Sequence, residues 1–431
     1  MKDLQLAKGV RDFAPEEKII RDKIVDTIKE VFELYGYNPI ELPVLERYET
    51  LAAKYAAGEE SDALKEIFIT KDNGGRKLGL RFDLTVPFCR FTGMNQNIKT
   101  PFKKYVMGPV FRDGPIKTGR YREFVQIDPD IMGCEGVIAD AEIIAITEEV
   151  FAKLGFEITI EFNTRKLLNG ILEDLDIARD KQFSIIISID KLKKIGEKGV
   201  EKELKEKGLT KGKIDSLLEY FTESKTSEDT LRNLKKIVKS KVGKEGLKEI
   251  EDIINYLKEF GVRSAVFRPG LARGLAYYTG PVYEAFLKGT SITSSAAGGG
   301  RYDEIIGKFI GSNKNVPATG ISFGIEVIVE ALKEKGKNTQ RSIVQVYIIP
   351  IKTTKESIGI AQKLRKEGIK TDMDLMQRGI SKNLQYADSY NIPYVIFIGE
   401  DELKKEKVKL RNMKTGKEEM LSVEEIVERL K

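Results

Sequence analysis

At 431 residues the chain is too long for one compact domain and is expected to fold as two or three. Its content of 41% hydrophobic and 32% charged residues suits a soluble protein with a full core; no run of about 18 apolar residues suggests a membrane span, and the start, "MKDLQLAKGVRDFAPEEK", lacks the apolar centre of a signal peptide, so a cytoplasmic location is expected. The count of 0 histidines is the most restrictive: it excludes Ser/His/Asp and Cys/His triads, histidine-ligated zinc and any histidine general base, and leaves the chemistry to Arg, Lys, carboxylates, Tyr, Gln and backbone dipoles.

A net charge of +6 permits a polyanionic partner without requiring one. Cys89 and Cys134 are too few for a disulfide framework, and their spacing matches no metal site.

The first helical pattern runs from about Pro15 to Tyr35, with Ile20, Ile24, Ile28, Val31 and Phe32 at helical spacing. "YGYNPIELPVLE" reads as an extended, Pro-interrupted segment. "EIFITKDNGGRKLGLRFDLTVPFCRF" reads as strand, "DNGG" turn and strand, which puts Asp83 and Thr85 on one face of a strand. A further strand pair is expected from Lys103 to Phe111 and from Tyr121 to Met132, around a loop from Arg112 to Thr118, favouring an antiparallel sheet. The helix "ADAEIIAITEEVFAKLG" and the strand "FEITIEF" follow.

From roughly Asp190 to Phe260 the composition shifts to Lys/Glu-rich helices, either a solvated insert or one that contacts nucleic acid. Strands and glycines return at "RPGLARGLAYYTGPVYEAF" and "SSAAGGGRYDEIIGKF", then a helix at "GIEVIVEALKEKG". Lys333 to Ser342 is polar and turn-rich, the best linker in the chain. Beyond it strand "IVQVYIIPI", a helix near Lys355–Glu367, strand "IKTDMDL", a helix near Ser381–Tyr390 and strand "PYVIFIG" alternate, as in a small α/β domain with a parallel sheet core. A hairpin, "KVKLRNMKTGKEEML", and a short helix close the chain.

Within "PVFRDGPIKTGRYREFVQIDPDIMG", Arg112 stands where a strand enters a loop and Arg120 where the chain returns. Two guanidiniums at a hairpin mouth suit phosphate oxygens, and Phe124 offers a flat face to a base. An exposed hairpin with ordinary surface charge would read the same way. Gln126, Asp128 and Asp130 follow, and carboxylates point to a second ligand group that is cationic or donates hydrogen bonds. Asp83 and Thr85 suit an ammonium group. "LARGLAYYTG" sets Arg273 beside Gly274 and ahead of Tyr277 and Tyr278, a pattern for backbone packed close to a ligand. On a strand the two tyrosines would face opposite sides, leaving at least one for plain packing. Neither "AAGGGRYDEIIG" nor "PATGISFGIEVI" is a phosphate loop or a dinucleotide fingerprint.

Taken in order, "KGVRDFAP", "LRFDLTVPFCRF", "VFRDGPIKTGRYREFVQIDPDIMG", "LARGLAYYTGPVYEA", "AGGGRYDEIIG" and "ATGISFGIEV" resemble the histidyl-tRNA synthetases over essentially the whole chain, and "LRFDLTVP" looks like their archaeal and eukaryotic branch. The resemblance implies an α+β fold: a class II synthetase antiparallel sheet flanked by helices (residues 1–182 and 263–332), a helical insertion (183–262), a linker (333–342) and a C-terminal α/β anticodon-binding domain (343–431). It implies a homodimer that activates histidine with ATP and Mg2+ and passes it to tRNA-His, with no metal-ligating side chains of its own assigned. By the same resemblance Arg112 and Arg273 are catalytic, Arg112, Arg120 and Phe124 hold ATP, and Asp83, Thr85, Gln126, Asp130, Arg273, Tyr277 and Tyr278 hold histidine. Three positions depart from the family pattern: Val327 replaces the arginine of the third class II motif, Gly114 replaces an acid that reads the adenine amino group, and Ala276 replaces an acid before the tyrosine pair. A histidine-binding paralogue without catalysis, such as a regulatory subunit of ATP phosphoribosyltransferase, and a tRNA-sensing module are the competing readings.

Overall fold

The computed structural model describes residues 4–53, 62–116, 119–273, 277–310, 315–336 and 340–431; Gly274, Ala276, Thr118 and linker positions 337–339 lie outside the described residues. The chain divides into two compact units, residues 1–11 with 24–334 and residues 12–23 with 335–431. Among the described residues no helix is long and apolar enough to cross a membrane.

The strands of the larger unit are β1 (Asn38–Ile40), β2 (Leu45–Arg47), β3 (Ile69–Lys71), β4 (Lys77–Leu80), β5 (Phe102–Phe111), β6 (Glu123–Met132), β7 (Ile158–Thr164), β8 (Ala265–Phe267), β9 (Pro281–Leu287), β10 (Ala297–Arg301) and β11 (Ala318–Gly324). Eight of them form one sheet in the order β1-β5-β6-β11-β10-β9-β7-β8, and β2-β4-β3 form a small second sheet. The middle of the large sheet is antiparallel, from the β5–β6 hairpin through β11, β10 and β9 to β7. Its two edges are parallel pairs, β1 with β5 and β7 with β8. A parallel pair needs a crossover connection. For β7 and β8 that crossover is the helical segment, whose elements run from Arg165–Asp174 through Arg179–Asp190, Leu192–Glu206, Lys211–Glu219 and Ser227–Ile237 to Lys241–Glu259. The sheet is therefore mixed: the antiparallel pairing the sequence favoured forms its middle, and parallel pairs form its two edges.

The helix Pro15–Leu34 buries Ile24, Ile28, Val31 and Phe32, the stripe its periodicity marks, and Phe32 meets the rings of Tyr37, Tyr105 and Phe323. The helix Ile138–Lys153 buries most of its residues, among them Ile143, Ile144, Ile146, Val150 and Phe151.

One element differs in kind from the expectation. Residues Thr85–Met94, taken as strand, form a helix. Asp83 decides this: its carboxylate accepts the Val86 N–H at 3.0 Å, capping the first turn. Pro87 falls in that turn, where a missing N–H costs nothing, and Val86, Phe88 and Cys89 are buried. Asp83 and Thr85 thus share a helix entrance and not a strand face.

In the smaller unit β12 (Val346–Pro350), β13 (Thr371–Met373), β14 (Tyr394–Ile398), β15 (Val408–Asn412) and β16 (Glu418–Leu421) assemble as β13-β12-β14-β15-β16. β12 pairs in parallel with both β13 and β14, as the alternation of strands and helices predicts, and the final hairpin adds β15 and β16 antiparallel. Alternate residues feed opposite faces: Ile348 and Ile396 pack in one core cluster, Tyr347 and Val395 in another.

A buried ion pair ties the large sheet to its helix. Arg301, at the end of β10, donates to the Asp140 carboxylate through Nε at 3.0 Å and to the carbonyls of Cys134 and Gly136, while Thr319 Oγ1 donates to the other Asp140 oxygen at 2.7 Å. Removing one partner leaves an uncompensated buried charge. Asp140→Ala is expected to cost about 3–5 kcal/mol, read as a lower urea midpoint at an unchanged slope.

Candidate active site

On β6 side chains two residues apart share a face, so Gln126, Asp128 and Asp130 line up along one side of the sheet. Next to them β11 carries Gly320, paired with Asp130, and β10 carries Gly298, Gly299 and Gly300. Without side chains these strands leave a hollow above the sheet, a cavity of about 290 Å3. Around it stand Asp83 and Thr85 at the helix entrance, Arg112 and Arg120 at the hairpin mouth, Arg273, Tyr277 and Tyr278 from the segment before β9, and Gln126 and Asp130 from β6. Every residue assigned from sequence to catalysis or to holding ATP or histidine lines this cavity except Phe124, which packs at the edge of a core cluster with its ring centroid 5.1 Å from the Arg112 guanidinium carbon.

The cationic end is built by the hairpin. Arg112 N–H donates to the Arg122 carbonyl at 2.8 Å, closing the mouth, and Arg112 Nε donates to the Phe82 carbonyl at 3.1 Å. Arg122 does not line the cavity; it pairs with Asp113 at 3.0 Å and donates to the Gly114 carbonyl at 3.3 Å, holding the loop. Arg120 pairs with Glu66 at 3.0 Å. Glu66 also accepts the Asp113 N–H on its carbonyl at 2.7 Å. A Cβ at Gly114 would stand 2.5 Å from Glu66 Oε1, so the space an acidic side chain at 114 would occupy is filled by Glu66. No local pattern marks Glu66, which reaches the site only through the fold.

Arg273 has a left-handed backbone, φ 44°. Such strain persists where the surroundings enforce it. Here Asp190, the last residue of the helix Arg179–Asp190, accepts the Arg273 N–H at 3.0 Å and the Ala272 N–H at 3.3 Å. The guanidinium lies 3.5 Å from Glu284 and 5.5 Å from the Tyr278 ring centroid. Tyr277 and Tyr278 both reach the cavity, with ring centroids 4.5 Å apart and hydroxyls at 3.3 Å. The expectation that one faces away fails because they precede β9, in irregular backbone where strand alternation does not apply.

The acidic row is not uniform. Asp130 takes Lys104 on one oxygen and the Tyr302 hydroxyl on the other, and Lys104 is fully buried. A lysine in a strand reads as a solvent-facing residue, so this pairing was not visible in the sequence. Asp128 Oδ1 and Gln126 Oε1 are buried with no hydrogen-bond partner. Burial, with the neighbouring Asp130 charge, pushes the Asp128 carboxyl up to about 7, against the pull of Lys104. Val327 lies outside the cavity lining, in the first turn of the helix Ile325–Glu334, next to Glu326, whose carboxylate accepts the Val125 N–H at 3.2 Å.

A mixed sheet flanked by helices, arginines at a hairpin mouth and a second, α/β unit define a class II aminoacyl-tRNA synthetase with an anticodon-binding domain. The family profile described as "Histidyl-tRNA synthetase" matches residues 9–328 and that of "Anticodon binding domain" residues 345–431. "Histidine--tRNA ligase 1" of Bacillus cereus is 46% identical over 418 residues, 96% of this chain and 94% of the relative. The crystal structure of histidyl-tRNA synthetase from Nostoc superposes with a TM-score of 0.89 at 30% identity, covering 100% of both chains. A Bacillus halodurans structure titled as an ATP phosphoribosyltransferase regulatory subunit/histidyl-tRNA synthetase shares the fold, with a TM-score of 0.77 at 24% identity over 92% of this chain and 98% of that one. The chain belongs to the histidyl-tRNA synthetase family. The relatives named here are bacterial, which gives the archaeal or eukaryotic branch no support.

The raised Asp128 carboxyl has a consequence for stability. The folded chain holds this proton up to about pH 7, the unfolded chain only to about 3.9, so stability falls as pH rises through that window. Asp128→Asn removes the effect. Unfolding in urea is expected to show the variant gaining on the parent at about pH 8 and little at about pH 4.

Proposed function

We propose that the chain is a histidine–tRNA ligase that joins histidine to ATP as histidyl-adenylate, releasing pyrophosphate, and then transfers the histidyl group to the 3'-terminal adenosine of tRNA-His. The observation that carries this reading is the polarity of one cavity, with Arg112, Arg120 and Arg273 around the space over Gln126 and the buried Asp128 and Asp130. An anionic nucleotide and a cationic, hydrogen-bond-donating amino acid suit its two ends. In the first step a histidine carboxylate oxygen forms a bond to the α-phosphorus while the bond to pyrophosphate breaks, and negative charge moves to the leaving group. Positioned cations accelerate such a step without a proton shuttle, which fits a chain with 0 histidines.

Arg112 holds the α-phosphate and Arg120 the outer phosphates, exchanging its Glu66 partner for phosphate oxygens. Phe124 supplies an adenine-stacking face beside Arg112. Asp83 and Thr85 hold the ammonium group, Gln126 lies by the carboxylate, and Asp130, Tyr277 and Tyr278 enclose the imidazole. Arg273 faces the reacting phosphate from the opposite wall. Magnesium would be held chiefly by the nucleotide's phosphates and would supply positive charge to offset the leaving pyrophosphate. Residues 183–262 contact the acceptor arm, residues 343–431 the anticodon, and the enzyme works as a homodimer in the cytoplasm. The match of residues 345–431 to an anticodon-binding profile speaks against a regulatory subunit, which generally lacks that domain.

The test is histidine-dependent ATP–pyrophosphate exchange with magnesium, run beside Val327→Arg. Exchange in the parent supports a ligase for which the third-motif arginine is dispensable; no exchange with histidine still bound supports a histidine sensor. Arg273→Ala is expected to lower the exchange rate about 100- to 1,000-fold, with histidine affinity reduced far less.

A further inference from the structure

The face of the sheet that carries the cavity continues outward past its glycines. Gly298 on β10 pairs with Glu284 on β9, and Glu284 pairs with Glu161 on β7, so the three positions stand side by side on one face. Like charges directly opposite each other destabilise a sheet unless each is answered. Glu161 is buried and answered twice, by Lys193 at 2.6 Å and by Arg268 at 3.3 Å. Glu284 does not line the cavity, and among the described residues its carboxylate has one ion-pair partner, Arg273, whose Nε lies 3.5 Å away. The other charges around Glu284 are Asp190, Glu161 and Lys194. Arg273 reaches it because position 298 has no side chain: a Cβ there would stand 2.4 Å from Nη1 and 2.9 Å from the guanidinium carbon.

Resting on the reading of Arg273 as the arginine that faces the reacting phosphate, we propose that Glu284 is its positioning residue, a carboxylate behind the cavity wall that holds the guanidinium by its Nε edge and leaves the Nη donors to the phosphate. The nearest acceptors of Nη1 are the carbonyls of Tyr283 and Gly299, both at a long 3.5 Å, and among the described residues Nη2 has no partner. A guanidinium has five donors, and here its charge is oriented while none of them is committed to a short hydrogen bond. The separation from Glu284 suits this duty, because a close bidentate pair would compete with phosphate for the same donors. Asp190 fixes the backbone of the same residue, so its main chain and its side chain are held from two different elements. A charge aimed before the substrate arrives needs no reorganisation as the pyrophosphate leaves.

ATP–pyrophosphate exchange by the full chain separates this duty from plain packing, with kcat and the KM values for ATP and histidine measured for the parent, Glu284→Gln, Arg273→Ala and the double variant. Glu284→Gln is expected to lower kcat about 10- to 100-fold while both KM values change less than about threefold, since a misaimed group costs rate more than ground-state binding. In the Arg273→Ala background the same substitution should change the rate less than about twofold, because the side chain it aims is gone. The inference is overturned if Glu284→Gln exchanges at the parent's rate, if its loss lies in KM, or if the full loss persists without Arg273, as a carboxylate with a merely structural role would give. A parent without exchange would overturn the ligase reading and this inference with it; an active parent whose rate ignores Glu284 would overturn this inference alone.

Discussion

The pairing of β5 with β6 over its full length, from Phe102 against Met132 to Phe111 against Glu123, is the constraint on which the site depends. It decides which β6 side chains face the hollow and which face the helices. A slip of one residue would exchange Gln126, Asp128 and Asp130 for Val125, Ile127 and Pro129. The same pairing delivers Arg112 and Arg120 to the mouth of the hairpin. What makes the surface above β6 a binding site is the lack of side chains on its neighbours, with glycines at 298, 299, 300 and 320. The pocket is a gap in the packing above the sheet, walled by side chains from β6, the hairpin mouth, the helix entrance and the segment before β9.

Charge is distributed over that frame in two layers. Groups that face the space are backed by groups that do not: Arg122 braces the loop between Arg112 and Arg120, Lys104 braces Asp130, and Asp190 braces the backbone of Arg273. Preorganisation of this kind is what a reaction that runs on fixed charges requires. The departures from the family pattern also look different in three dimensions. Gly114 is matched by Glu66, which takes the vacated space, and Val327 follows a glutamate that remains tied to the β6 backbone.

Long elements were legible because their periodicity is unambiguous. The helices at Pro15–Leu34 and Ile138–Lys153, the β5–β6 hairpin and the alternating second unit all follow the pattern of their apolar residues. Thr85–Met94 was not, since β-branched Thr85 and Val86 and the proline after them resemble a strand until the Asp83 cap is seen. The parallel edges of the sheet were invisible for another reason: β7 and β8 are separated by a whole helical segment, and nothing local to either strand records its neighbour. In the site, residues that touch the cavity were largely readable from motifs. Glu66, which also lines the cavity, and the supports Lys104 and Asp190 carry no motif and are placed only by long-range packing.

The bond from Asp190 to Arg273 changes what the helical segment between β7 and β8 amounts to. By sequence it reads as a Lys/Glu-rich helical insert, either solvated or in contact with nucleic acid. In the fold, the end of its helix Arg179–Asp190 is a bearing on which a left-handed arginine rests. A lineage that trimmed this segment would have to find another carboxylate for the same two amides. Grafting a foreign RNA-binding module in its place would likewise succeed or fail on that one seat, whatever the module's own affinity.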